Sequence, residues 1–375
     1  MMERRRIVAL RRQEGAVALV TLVGAEGSSY RQKGARVLVA ASGTHAGTIS
    51  GGCLESEVIR KASWTIRDGA VVERFSTLFD DTAEVPYGLG CGGVVDLLVE
   101  PAGTPEYDAL LDALETSLRG EPAVIVTWLP EKSAGKVLKR VVLAKGGQIK
   151  FATTGLSVEK IDCARGLVPG RDYEGRFVEE LKPPQRLIVL GAGEDAKPLV
   201  KMAASLGWNV VVSDGRAALA QSRRFPEAER VLRLVGDSFA IEEIGISKSD
   251  AVVLMTHSYE QDRELLAAVL PLSPRYLGLL GARHRSSLLV SEAALKAGLT
   301  VAECCARLYA PVGLDLGGDG PEAIALAIIA EAQACIQGKL GSSRRLSADD
   351  VANQIAQGGA SRYLQTHCAL DEAVS

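Results

Sequence analysis

Apolar residues fall in two rhythms along this chain. Leu54, Val58, Ala62 and Ile66 recur every four positions, with Ile59 beside them and Gly69 after them. That is the spacing of an amphipathic helix ended by a glycine. Short apolar runs at 17–23, 94–99 and 123–128, with further ones near 140–144 and 148–152, read as strands instead. Residues 36–41 and 46–49 flank Ser42-Gly43-Thr44 as a hairpin, and 106–118 reads as a second helix.

Lys182-Pro183-Pro184-Gln185 interrupts this rhythm, because consecutive prolines continue neither a helix nor a central strand. The expected division is a domain over 1–181, a linker at 182–185, a second domain over 186–340 and a peripheral tail over 341–375. The second domain opens with an apolar run at 186–190, then Gly191-Ala192-Gly193-Glu194-Asp195-Ala196, a helical pattern up to Gly207, a strand at 209–213 and an acid, Asp214. Strand, G-x-G-x-x-A, helix, strand and acid in that order form the dinucleotide-binding fingerprint. Strand-like runs at 230–235, 250–256 and 275–280 continue the alternation. The expected fold class is therefore α/β, with an N-terminal mixed domain followed by a Rossmann-like, doubly wound parallel sheet.

The helix at 54–66 is preceded by Thr48-Ile49-Ser50-Gly51-Gly52-Cys53, with Glu55 just after, so Cys53 stands at a helix N-terminus. Unpaired N–H groups and the positive end of the helix dipole favour an anion there, either a bound phosphate or the cysteine's own thiolate. A free cysteine is more often a small buried hydrophobe. What sets Cys53 apart is a second loop of the same kind, Gly88-Leu89-Gly90-Cys91-Gly92-Gly93, feeding the strand at 94–99. Between the first strand and the hairpin lies a polar, basic loop with Ser28, Ser29, Arg31, Lys33 and Arg36, whose hydroxyls and cations suit an anionic ligand. Solvated surface charge is its plain alternative.

In the second domain Gly191, Gly193, Asp214 and Arg216 are the candidate nucleotide contacts; Glu194 and Asp195 either face the pyrophosphate or cap the helix. His257 and Arg283 follow strand ends, where open α/β sheets place ligands. The chain has 375 residues, 47% hydrophobic and 24% charged, with a net charge of −3. That balance argues against nucleic acid as a partner. No apolar run is long enough for a membrane span, and the start of the chain is too charged for a signal peptide. A cytoplasmic protein with seven reduced cysteines is expected. A homodimer is expected on general grounds.

Gly-Ser-Ser-Tyr-Arg at 27–31, Ser-Gly-Gly-Cys-Leu-Glu at 50–55, Gly-Leu-Gly-Cys-Gly-Gly at 88–93, Gly-Ala-Gly-Glu-Asp-Ala at 191–196 and Thr-His at 256–257 resemble the XdhC/CoxI family of xanthine dehydrogenase accessory factors. So do Gly-Leu-Leu-Gly-Ala-Arg at 278–283 and Pro-Val-Gly-Leu-Asp-Leu-Gly at 311–317. The resemblance departs at Tyr30, where proline is expected. It implies a protein that binds molybdenum cofactor while a cysteine desulfurase installs its sulfido ligand, then passes it to a molybdenum hydroxylase such as xanthine dehydrogenase or carbon monoxide dehydrogenase. Such a maturation factor need not be a catalyst. Soft thiolates are plausible neighbours of molybdenum, so Cys53 and Cys91 would contact the metal or relay sulfur, with Arg31 at the phosphate. Two other readings stay open: an NAD(P)-dependent oxidoreductase with His257 as acid, and a thiol redox sensor in which Cys53 and Cys91 pair.

Overall fold

The computed structural model describes residues 1–356 except 28, 53, 66, 68, 77–92, 131–136, 235–240 and 343–344. The chain forms two compact units, one built on Glu3–Pro183 and one on Pro184–Arg344 with Met1–Met2.

The first unit holds two antiparallel sheets. β1 (Ala16–Gly27), β2 (Arg36–Ala40), β3 (His45–Gly47), β4 (Val71–Ser76) and β5 (Gly93–Pro101) lie in the order β3-β2-β1-β5-β4. β6 (Ala123–Trp128), β7 (Lys139–Ala144), β8 (Ile149–Ala152) and β9 (Arg176–Leu181) lie in the order β8-β7-β6-β9. Side chains alternate across a strand, so each strand serves two layers. On β1, Ala18, Val20 and Leu22 pack with Leu54, Val58 and Ala62 at α2 (Glu55–Thr65). Leu19 packs the other way, with Ile7, Val8 and Leu10 of α1 (Met2–Gln13) and with Leu110, Leu111 and Leu114 of α3 (Pro105–Leu118). Ala123, Ile125 and Val142 of the second sheet join that same core. Its opposite face, with Val126, Val141 and Val178, covers Ala164 of α4 (Val158–Gly166).

Four of these elements carry no rhythm that predicts them. The buried residues of α1 stand among Arg4, Arg5, Arg6, Arg11 and Arg12; α4 buries only Ala164; β9 contains Glu179 and Glu180; and β4 is interrupted by Glu73 and Arg74.

The second unit is a parallel sheet of β10 (Arg186–Leu190), β11 (Asn209–Asp214), β12 (Arg230–Arg233), β13 (Ala251–Leu254) and β14 (Tyr276–Leu279), ordered β12-β11-β10-β13-β14. Numbered within the unit, this is 3-2-1-4-5, the order of dinucleotide-binding sheets. Tyr309 bridges Gly278 in parallel and extends the β14 edge. Leu187 and Val189 face α5 (Ala196–Ser205) and a later helix over Pro321–Ile336, whereas Ile188 and Leu190 face α6 (Ile241–Ile244), α7 (Tyr259–Val269) and α8 (Arg283–Ala297). The doubly wound fold read from the sequence is thus present, with both faces covered. Among the described residues no helix is long and apolar enough to cross a membrane.

One ion pair joins the layers of the first unit. Arg140 on β7 donates to both carboxylate oxygens of Glu100 on β5, at 2.9 and 3.3 Å, to Thr127 Oγ1 at 3.1 Å and to the Glu106 carbonyl at 2.6 Å. Both charged side chains are fully buried. Removing one partner strands the other without water, so Glu100→Ala is expected to lower unfolding stability by about 3–5 kcal/mol. Glu100→Ala paired with Arg140→Met should recover much of that loss, and urea unfolding of the two variants measures both.

Candidate functional site

Residues around Cys53 are organised by one carboxylate. Glu55, at the first turn of α2, accepts from the Ile49 N–H at 2.9 Å, the Ser50 N–H at 2.8 Å and the hydroxyls of Thr48 and Ser50. Ser50 Oγ in turn accepts from the Gly52 and Leu54 N–H groups, both at 3.2 Å. Burial pushes the Glu55 carboxyl up, but the hydrogen bonds from Ser50 and Thr48 outweigh it and hold the group at about 2. The N–H groups of Ile49, Ser50, Gly52 and Leu54 thus bind the chain's own side chains. Ser50 and Glu55 set the shape of the loop. Gly51 and Gly52 remain exposed, and Gly52, at φ +111° with open space where a side chain would stand, adopts a backbone that other residues rarely take.

The β1–β2 connection comes to the same place. Tyr30 lies beside Gly51, its ring carbons 4.0 Å from where a Cβ on that glycine would be. The cations expected to face an anion are instead paired within the protein: Arg31 with Glu3, Lys33 with Asp172 and Arg36 with Glu179. Arg36 is buried with its partner and acts structurally; Arg31 is partly exposed and donates to Glu3 through one nitrogen. Ser29 Oγ donates to the Arg31 carbonyl at 2.8 Å and so shapes the same turn. Ser28, Cys53, Gly90, Cys91 and Gly92 lie outside the described residues. Among the described residues no cluster of His, Cys, Asp and Glu could hold a metal ion.

In the second unit the predicted residues gather at the C-terminal ends of β10, β11 and β13, the switch point of the sheet. Gly191 takes φ +128°, and a Cβ there would sit 2.3 Å from the Met255 carbonyl oxygen, so only glycine lets the two strand ends approach. The crevice is filled with polar contacts of its own. Asp195 does not cap α5; its carboxylate folds back until Oδ1 lies 2.5 Å from the Cβ position of Gly193, the face a pyrophosphate would approach. Its Oδ2 meets His257 Nε2 at 2.8 Å. His257 reaches it from a left-handed backbone, φ +61°, unusual for a residue with a Cβ. Glu194 pairs with Lys197 and Arg224.

Asp214, placed where a ribose hydroxyl would bind, is saturated as well. Ala192 N–H donates to one oxygen at 2.8 Å, and Arg216 donates from its backbone at 2.8 Å and from its guanidinium at 2.8 and 3.0 Å. Burial pushes the Asp214 carboxyl up, and these bonds reverse the shift and hold it below the usual carboxylate range. Arg283 is exposed at the start of α8. The arginine that enters the crevice wall is Arg285, missed by sequence reasoning, which donates to the buried Asp262 at 2.7 Å while Thr256 donates to the other oxygen of that carboxylate at 2.7 Å. No local pattern marks Arg285 over Arg283.

Two measurements follow from this geometry. The depressed Glu55 carboxyl stabilises the fold fully above its ordinary value of 4.5 and loses that contribution as pH falls toward about 2. Glu55→Gln is therefore expected to cost about 2 kcal/mol at neutral pH, with the gap between variant and wild type narrowing as unfolding is measured from pH 5 down to about pH 2. At the switch point, NADH and NADPH are expected to bind more weakly than about 1 mM; saturable fluorescence enhancement well below that concentration would show that Asp195 moves aside.

Comparison with known proteins places these features in a lineage. A family described as the XdhC Rossmann domain matches residues 187–332, and one described as the XdhC and CoxI family matches residues 10–76. A Bacillus subtilis protein named as a probable subunit of xanthine dehydrogenase is 28% identical over 335 residues, 85% of this chain and 92% of that one. The molybdenum cofactor insertion chaperone PaoD of Escherichia coli is 24% identical over 87% of this chain and 85% of its own. A Bacillus halodurans protein whose crystal structure is described as a xanthine dehydrogenase superposes with a TM-score of 0.75 at 27% identity, covering 94% of this chain and 99% of the other. With both matched regions together spanning more than half of the sequence, in the order the motifs stand, the chain belongs to the XdhC/CoxI family.

Proposed function

We propose that this protein binds molybdenum cofactor at the Tyr30–Gly51–Gly52 surface of its first unit and holds it during maturation of a xanthine dehydrogenase or a related molybdenum hydroxylase. Family membership and the likeness to an insertion chaperone support an accessory role of this kind. The observation that carries the reading is the convergence of two motif loops, 27–31 and 48–55, on one exposed glycine pair held in place by Glu55. Gly51 and Gly52 leave room that a side chain would fill, which suits a bulky flat ligand. The cofactor supplies the redox-active metal; the chain's part is to bind, orient and shield it. Cys53 and Cys91 would lie at the metal end or relay sulfur delivered by a cysteine desulfurase, and Arg31 would keep its remaining donors for the phosphate. This work would take place in the cytoplasm.

A second reading, an oxidoreductase using the Rossmann unit, is favoured by the 3-2-1-4-5 strand order and opposed by the Asp195 carboxylate at Gly193 and the saturated Asp214. An anaerobic titration of the protein with molybdenum cofactor, run beside Cys53→Ala and beside NADPH, separates the two. The expected result is cofactor binding that falls about tenfold or more in the variant, with no nucleotide binding. Nucleotide binding together with no affinity for the cofactor would sink the proposal.

A further inference from the structure

Among the described residues of the two loops most charged and hydroxyl side chains already have partners within the protein, and one large side chain is left over. Glu55 is buried in its cage of donors, the Ser50 hydroxyl serves Gly52 and Leu54, the Ser29 hydroxyl serves the Arg31 carbonyl, and Arg31, Lys33 and Arg36 are paired with Glu3, Asp172 and Glu179. Between these residues stands Tyr30, a large aromatic that is 70% exposed, beside Gly51, which is followed in the chain by Gly52 with open space where a side chain would stand. An exposed tyrosine in a loop so heavily tied down by its neighbours is held in place without contributing to the core.

We propose that Tyr30 is a stacking platform for a flat nitrogen heterocycle, so that this surface grips its ligand by the ring system more than by the phosphate. The inference rests on the molybdenum cofactor reading, in which that heterocycle is the pterin. Aromatic faces favour offset stacking on another π-system, and the contact is tolerant of the ring's identity while demanding flatness. Gly51 and Gly52 serve it by keeping side chains away from the space a stacked ring needs. The phenol oxygen has no part in it.

The test uses the full chain with two probes, pterin itself (2-amino-4-oxopteridine) followed by fluorescence anisotropy, and molybdenum cofactor followed anaerobically by its absorbance. Tyr30→Phe should hold both probes within about twofold of wild type, and Tyr30→Ala should weaken binding about tenfold, with thermal unfolding midpoints unchanged because the side chain is exposed. If Tyr30→Ala binds the cofactor as wild type does, the platform is wrong and the cofactor reading stands. If wild type binds neither probe, the cofactor reading itself falls and the platform falls with it. Should pterin alone bind too weakly to measure, the cofactor arm decides. Tyr30→Phe weakened as much as Tyr30→Ala would transfer the role to the hydroxyl and overturn stacking.

Discussion

The first unit depends on a charge pair that water never reaches. Arg140 and Glu100 sit on different sheets and meet beside α3, and neither is exposed. Burying two ions is costly unless hydrogen bonds replace the lost water, and here Thr127 and the Glu106 carbonyl add two acceptors to the two oxygens of Glu100 around the guanidinium. Apolar layers alone would let the sheets slide over α3; a bidentate pair fixes one register. Glu100 is paired across from Leu19 on β1, so fixing β5 fixes β1, whose C-terminal end leads into the Tyr30 loop. The geometry of the candidate site is thereby tied to a polar contact in the centre of the unit.

Much of this architecture was legible in the sequence. Strands such as β6 and β11 are short apolar runs, helices such as α2 and α3 carry apolar residues at helical spacing, and the proline pair and the G-x-G-x-x-A context punctuate them strongly. α1 and β9 were not legible, because their few buried residues are embedded in charge and their stability comes from partners far along the chain. The Glu179 of β9 that breaks its apolar pattern is the partner of Arg36, 143 residues away.

The same distance explains what the sequence does not show at the site. From sequence, Arg31, Lys33 and Arg36 resemble an anion cradle, since a local reading sees cations and hydroxyls but not the acids that neutralise them. Glu3, Asp172 and Glu179 come from α1, from the stretch before β9 and from β9 itself. At the switch point the local part of the reading holds in position and changes in meaning. Gly191 permits the close approach of strand ends that the motif implies, yet the acid two residues past Gly193 occupies the space a phosphate would use, held there by a histidine 62 residues later. A helix N-terminus favours an anion whatever its source, and here a carboxylate of the chain stands beside it, bonded to His257 and not to the helix N–H groups.

The contrast between Glu55 and Tyr30 shows how such a surface can bind without reorganising. Glu55 spends its hydrogen bonds on the backbone of 49–50 and fixes the loop before any ligand arrives, so the entropy of ordering the glycines is met during folding. A loop that already holds its bound shape loses less on association. Glycines without such an anchor would be too floppy to present a defined surface, and an anchor made from ligand-binding groups would have to be broken on binding. Assigning the polar atoms to the fold and leaving an aromatic ring outside resolves that conflict. In the proposed role the internal contacts need not change, and a contact made by a ring face, lacking strong directional bonds, would be released again on transfer of the ligand.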